Sequence, residues 1–231
     1  MLRHFVYAIA AIALALAAPD ARIAHAAGEQ DLSANARLLV HARNGDAPGV
    51  ERSLKEGANV NSRNRLGETA LVIALKKNDL KITRLMLDAG TDVNLAAVNG
   101  VTPLMAAAYA GQAEIVTELL AKGADVKALD RLEKNAMTYA AGEGRAAIVK
   151  LLLGAGVDPN AVYANDLTAL MWAAGNGNSE TVTVLLEAGA KIAPKDNRGK
   201  TAADIARELN RDGIVRLIEA PRAVKTAATG G

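Results

Sequence analysis

The sequence predicts an all-α solenoid of about six helix-turn-helix units with protruding β-turn fingers, because three series of residues repeat in one register. A 33-residue step relates the glycines at Gly57, Gly90, Gly123, Gly156 and Gly189. The same step relates Gly45, Asn78, Gly111, Gly144, Gly177 and Asn210. It also relates five short segments, Gly67–Leu71, Gly100–Leu104, Glu133–Met137, Asp166–Leu170 and Gly199–Ala203. Self-similarity at a period of this length is typical of stacked repeats, in which each unit buries its apolar face against its neighbours.

Each unit carries the signals of two short helices. The first helix is predicted to follow a threonine, whose hydroxyl can accept a free backbone N–H, at Thr69, Thr102, Thr168 and Thr201. Glycine is expected to end this alanine-rich helix in the left-handed conformation, at Gly111, Gly144 and Gly177. The second helix carries larger apolar residues on one face, as in Ile115, Val116, Leu119 and Leu120.

The units are predicted to span 33–65, 66–98, 99–131, 132–164, 165–197 and 198–220, with atypical capping units at both ends. Glu133 and Asp166 replace the glycine of the turn that precedes the first helix in other units. A left-handed backbone costs these residues more than it costs glycine. We therefore expect residues 132–166 to be the least regular region, either looser than the rest or shaped by function.

The repeat resembles the ankyrin repeat over about residues 33 to 220. Gly100 to Leu104 (Gly-Val-Thr-Pro-Leu) and Gly123 to Val126 (Gly-Ala-Asp-Val) carry the match, although the histidine usual in the family after Thr-Pro-Leu is absent. Other residues fill that slot: Val72, Met105, Thr138, Met171 and Asp204. The resemblance implies a non-catalytic scaffold that binds proteins through its turn fingers and the concave side of its first helices. It does not specify the task, because one fold serves many binding functions.

The N-terminus has the pattern of a secretory signal peptide. Arg3 and His4 precede an apolar run from Phe5 to Ala18, and Ala24-His25-Ala26 offers a cleavage site before Ala27. The run is shorter than the ~20 apolar residues that cross a bilayer. We expect residues 1–26 to be cleaved, or a cut after Ala17, with no membrane insertion afterwards. Residues 27–32 are then a flexible linker and 221–231 a disordered tail. The periplasm is the simplest destination, and release from the cell is the alternative.

Composition argues against several functional classes. The chain has no cysteine, which excludes a disulfide scaffold and thiolate metal sites. Its 27 lysines and arginines against 25 aspartates and glutamates give no attraction to nucleic acid. The one histidine beyond the signal segment, His41, falls in the inward slot of Ala74 and Ala107, so a structural role is expected. Asp92, Asp125 and Asp158 are interpreted as turn-fixing loop residues. We expect no enzyme, no cofactor and no metal.

Four aromatic residues are the main candidates for a partner-binding surface: Tyr109, Tyr139, Tyr163 and Trp172. Trp172 groups with Gly175 and Asn176 by helical spacing, on the side opposite the buried stripe. Aromatic residues are over-represented among binding hot spots, so we assign all four to that surface. The alternative is that Tyr139 and Trp172 only fill gaps between neighbouring units.

Two further segments extend this candidate surface. Asn165, Asp166 and Leu167 are predicted to form a contacting finger, and Asn176 lies beside Trp172. A basic edge in the second unit comprises Arg65, Lys76 and Lys77, for which simple solvation is the alternative.

The functional hypothesis is a monomeric protein–protein interaction module in the bacterial periplasm. Similarity to exported bacterial ankyrin proteins implies a role as an accessory protein for a periplasmic enzyme such as catalase, or as an immunity protein against a toxin. The alternatives are a secreted effector acting on host proteins and an enzyme with an unrecognised carboxylate site.

Overall fold

The computed structural model describes residues 33–220, so the predicted signal peptide, linker and tail lie outside the described residues. Twelve α-helices occupy this part of the chain in six pairs. The first helices of the pairs are α1 Ala34–Asn44, α3 Ala70–Lys76, α5 Pro103–Ala110, α7 Ala136–Gly142, α9 Ala169–Asn176 and α11 Ala202–Glu208. The second helices are α2 Ala47–Lys55, α4 Leu80–Asp88, α6 Ala113–Ala121, α8 Ala146–Gly154, α10 Ser179–Glu187 and α12 Asp212–Glu219.

The helices form two layers. Each first helix packs on its own second helix and on the first helices of adjacent units. The second helices of adjacent units pack on one another in the same way, except that the contact between α4 and α6 is weak. One continuous apolar core runs from Leu38 in α1 to Ile218 in α12. No strand occurs between residues 33 and 220, where an isolated bridge pairs Val162 with Thr168. The predicted all-α repeat solenoid is therefore confirmed. None of the helices in the described range has the length and apolarity to cross a membrane.

The predicted helix caps are present. Hydroxyls of Thr69, Thr102, Thr168 and Thr201 each accept the backbone N–H three residues on. Asn135 does the same for α7. The Ala slot of the first helices is buried in every unit, which allows these helices to approach closely. His41 occupies that slot in α1, buried, with Nδ1 2.9 Å from Asp46 Oδ2, so its predicted structural role matches its position.

Five fingers join the units: finger 1 (residues 56–69), finger 2 (89–102), finger 3 (122–135), finger 4 (155–168) and finger 5 (188–201). The expected irregularity of residues 132–166 is right only for finger 4. Glu133 adopts the left-handed backbone, with φ of 55°, and forms the same turn as the glycines of other fingers. In finger 4, a 3-10 turn at Ala164–Asp166 places two successive residues, Asn165 and Asp166, at φ of 61° and 59°.

Candidate functional site

Three of the predicted aromatic residues lie on the first helices of consecutive units. Tyr109 is in α5, Tyr139 in α7 and Trp172 in α9. The rings of Tyr109 and Tyr139 meet edge to face, with centroids 6.1 Å apart and planes at 85°. This geometry is a favourable arrangement of two aromatic quadrupoles.

A lysine from finger 3 completes this group. Lys134 Nζ lies 4.4 Å from the ring centroid of Trp172 and 5.8 Å from that of Tyr139. An ammonium at these distances is attracted to the negative face of the ring. We call Tyr109, Tyr139, Lys134 and Trp172 the aromatic row.

A buried carboxylate ties finger 3 to the aromatic row. Asp130 is 7% exposed, and its Oδ2 accepts a hydrogen bond of 2.6 Å from the Tyr139 hydroxyl. Its Oδ1 accepts from the backbone amides of Leu132 and Lys134. Burial, and then the hydrogen bond to Asp130, raise the pKa of Tyr139. The phenol is therefore held as a neutral donor in a defined position.

Packing and exposure coexist in the aromatic row. Tyr139 and Trp172 are partly buried and pack against the core, as the gap-filling alternative predicts. Assigning these two rings wholly to the free surface is therefore wrong, because part of each side chain packs against the core. Both rings nevertheless keep an accessible part, and Tyr109 is 40% exposed.

Tyr163 is separate from the aromatic row. It belongs to finger 4, is partly buried, and its hydroxyl accepts a 3.1 Å hydrogen bond from Asn135 Nδ2. Burial is the main reason that the pKa of Tyr163 is raised. The side chain anchors finger 4 to the N-terminus of α7, so its role is at least partly structural.

The predicted finger residues have mixed environments. Asn165 and Asp166 are exposed, whereas Leu167 is partly buried against the core. Asn165 also bridges to finger 5, where its backbone and side-chain oxygens accept from the backbone and side-chain nitrogens of Asn197, both at 3.0 Å. Asn176 is exposed, and its Nδ2 donates to the carbonyl of Trp172 at 3.0 Å.

The predicted basic edge lies in finger 1 and at the C-terminal end of α3, whereas the aromatic row spans the third to fifth units. Arg65, Lys76 and Lys77 are all exposed. Lys76 Nζ, however, lies 2.6 Å from Glu68 Oε1. Burial alone would raise the pKa of Glu68, but its hydrogen bonds with Lys76 and Asn64 outweigh that effect and lower it. The Lys76 ammonium is thus paired with the Glu68 carboxylate of its own chain.

Sequence reasoning missed Lys134 and Asp130. A signal for Asp130 exists in the register, since Asn64 and Asp196 occupy the same slot and likewise accept two backbone amides of their own finger. No comparable signal points to Lys134, because the placement of a long side chain over a ring depends on tertiary packing.

Acidic residues in the loops serve the turns. Asp92, Asp125 and Asp158 each accept the backbone amide two residues on, which confirms their interpretation as turn-fixing residues. Between residues 33 and 220, no three side chains of His, Cys, Asp or Glu group closely enough to hold a metal ion.

Comparison with known proteins agrees with the architecture. A family model described as ankyrin repeats (3 copies) matches residues 38–130 and again residues 133–227. No curated protein matches the chain. Ankyrin repeats generally mediate protein–protein interaction, and the family is typically non-catalytic. With most of its length matched, the chain belongs to the ankyrin-repeat family.

Proposed function

We propose that the protein is a non-catalytic binding module whose protein partner docks on the aromatic row and the adjoining residues of finger 4. The observation that supports this proposal is the aromatic row itself, in which consecutive first helices present three aromatic rings and finger 3 adds a lysine beside two of them. In ankyrin stacks this is the concave side, so one partner surface could contact all of them.

The rigidity of the row favours binding. Tyr139 is held by Asp130 and by the core, and Lys134 is held by its backbone bond to Asp130. Side chains that are ordered before binding lose less conformational entropy when the partner arrives. Partly exposed Tyr and Trp on a rigid support are also the residue types that dominate measured hot spots.

The setting that we propose is the bacterial periplasm, reached through the N-terminal signal segment. There the module would act as an accessory protein for an enzyme such as catalase or as an immunity protein for a toxin. A secreted effector that acts on host proteins is the second candidate. Cell fractionation separates the two, since an effector would accumulate in the medium and an accessory protein with the periplasmic contents.

The test is capture of partners from periplasmic extract by the wild-type protein and by Trp172→Ala. Truncating Trp172 is expected to cost about 2 kcal/mol of affinity or more, as hot-spot truncations do, while helical content persists. Leu80→Ala is the matched control, because Leu80 is 46% exposed on a second helix, outside the proposed surface. Equal capture by Trp172→Ala and wild type would refute the assigned surface, and unfolding of Trp172→Ala would show that the ring is chiefly core.

A further inference from the structure

Neighbouring fingers are joined at their bases by an asparagine ladder. In each link the Oδ1 atom of an asparagine accepts a backbone N–H of the next finger. The links are Asn61 to Asp92 (2.9 Å), Asn94 to Asp125 (2.8 Å) and Asn160 to Lys191 (2.8 Å). The three asparagines are spaced by multiples of the 33-residue repeat.

A second ladder joins the finger tips. Here a backbone N–H of one finger donates to a carbonyl of the preceding finger. The links are Val98 to Leu66 (2.8 Å), Arg131 to Asn99 (2.9 Å) and Asn197 to Asn165 (3.0 Å).

Both ladders are interrupted between finger 3 and finger 4. Lys127 stands in the asparagine slot and has no oxygen that could accept from the Asp158 amide. At the tip, the equivalent bond from the Ala164 amide to the Leu132 carbonyl does not form, and neither group bonds elsewhere within residues 33–220. The two interruptions fall at the same interface.

Tyr163 opens the turn of finger 4. Its slot holds Asn64, Asp130 and Asp196 in fingers 1, 3 and 5, where the side-chain oxygen accepts two amides of the turn. Finger 2 has Ala97 in this slot and keeps the common turn without such an oxygen. Finger 4 differs from all of these fingers, because the Tyr163 hydroxyl reaches back to Asn135 and both Asn165 and Asp166 have a positive φ in the 3-10 segment at Ala164–Asp166.

An open groove of about 670 Å³ lies at this interface, lined entirely by fingers 3 and 4. Leu129 and Val162 in its lining are 52% and 59% exposed and offer apolar surface to a ligand. The charged residues of the lining are Lys127, Glu133, Asp158 and Asp166, three carboxylates against one ammonium. The groove thus combines apolar walls with a net negative charge.

We propose that this groove binds an extended segment of a partner protein in which apolar residues alternate with arginine or lysine. The inference rests on the proposed function, because it names the chemistry of one segment of the protein partner. Alternate side chains of an extended chain point to opposite sides, so apolar residues can meet Leu129 and Val162 while basic residues meet the carboxylates. The amides of Asp158 and Ala164 and the carbonyl of Leu132 can pair with the backbone of the segment.

The probe is the synthetic peptide acetyl-Val-Arg-Val-Arg-Val-amide, compared with the same peptide carrying glutamate in place of arginine. We expect the arginine peptide to bind saturably and to shift NMR signals of residues 126–133 and 156–166, and the glutamate peptide to bind at least tenfold more weakly. Asp158→Asn and Asp166→Asn should each weaken binding of the arginine peptide by about fivefold at most, as expected for exposed ion pairs. Asp158→Asn keeps the side-chain oxygen that accepts the Asn160 amide.

Lys127→Asn is the decisive variant. It restores the asparagine of the base ladder and should close the groove, so we expect at least tenfold weaker binding of the arginine peptide. Loss of a positive charge alone would strengthen binding of a basic peptide, so a weakening must come from the restored link. Lys150→Asn is the control, because it makes the same charge change at an exposed position of α8.

The inference is overturned if the arginine peptide does not bind, if it shifts only signals outside fingers 3 and 4, or if Lys127→Asn binds it as tightly as Lys150→Asn. Failure of the peptide experiment alongside Trp172-dependent capture of a partner removes the groove and leaves the proposed function in place. Failure of both experiments removes both.

Discussion

Thr181 is a buried polar residue whose replacement should stabilise the fold. It lies in α10 with 0% exposure, and its hydroxyl has no hydrogen-bond partner within residues 33–220. The corresponding residues of four other second helices are Ile82, Ile115, Ile148 and Ile214. Thr181→Val keeps the shape of the side chain and removes the hydroxyl.

The expected gain follows from the desolvation of that hydroxyl. A buried polar group without a partner costs about 1–3 kcal/mol, so the free energy of unfolding should rise by about 1 kcal/mol or more. For a chain of this size each kcal/mol corresponds to a shift in Tm of about 2–4 °C. Urea denaturation followed by circular dichroism measures the change, and an unchanged slope would show that the unfolded state is unaffected.

Thr83→Val is the matched control. Thr83 is equally buried in α4, but its hydroxyl donates to the Asp79 carbonyl at 2.7 Å. Its replacement removes a satisfied group, so the expected change is about zero or a loss of up to ~1 kcal/mol. If Thr181→Val is no more stable than Thr83→Val, the Thr181 hydroxyl is satisfied in solution, for example by an internal water, and the reasoning fails.

Two further predictions concern buried carboxylates. Tyr139→Phe removes the hydrogen bond to Asp130 Oδ2 and leaves the carboxylate buried. The free energy of unfolding should therefore fall by about 1–2 kcal/mol in the same assay. An unchanged value would show that this hydrogen bond does not stabilise finger 3 on α7. Burial alone would raise the pKa of Asp196, but hydrogen bonds from the Lys200 and Arg198 amides and from the Arg198 guanidinium lower it on balance. The ionised Asp196 carboxylate therefore adds to the free energy of unfolding above the unfolded-state pKa of about 3.9, and this stabilisation is lost as pH falls below that value. Asp196→Asn should flatten this acid dependence while keeping an acceptor for the two amides, and an unchanged pH profile would be the contrary result.

The sequence predicts the architecture well because the repeat supplies the same local signal many times. Thr102 caps α5, and Gly111 ends it with φ of 81°, as their residue types require. The expectation that Glu133 makes its turn irregular is wrong. The neighbouring units and Asp130 hold finger 3 in the common turn, although a left-handed backbone is less favourable for glutamate than for glycine.

The candidate site is less predictable than the fold. Register places Tyr139 and Trp172 on the first helices, but how deeply their rings settle between units depends on the volumes of the facing side chains. Tyr163 shows the same limit, because its hydrogen bond to Asn135 joins residues 28 positions apart, at the two ends of one unit. Lys127 is different, since its departure from the asparagine slot is visible in the sequence once the ladder is known.

The interruption between fingers 3 and 4 leaves the helical stack joined. Asn178 Nδ2 donates to the carbonyls of Ala141 and Gly142 at 3.0 and 2.8 Å, which ties the fifth unit to α7 at the opposite end of the helices. The packing of α7 against α5 and α9 is also retained. Because repeat proteins gain stability from each interface between neighbours, loss of two finger contacts is tolerable where the helical contacts persist. The backbone groups that lack their ladder partners, namely the amides of Asp158 and Ala164 and the carbonyl of Leu132, are then available to a partner without loss of core packing. A binding groove is therefore better placed between these fingers than between helices.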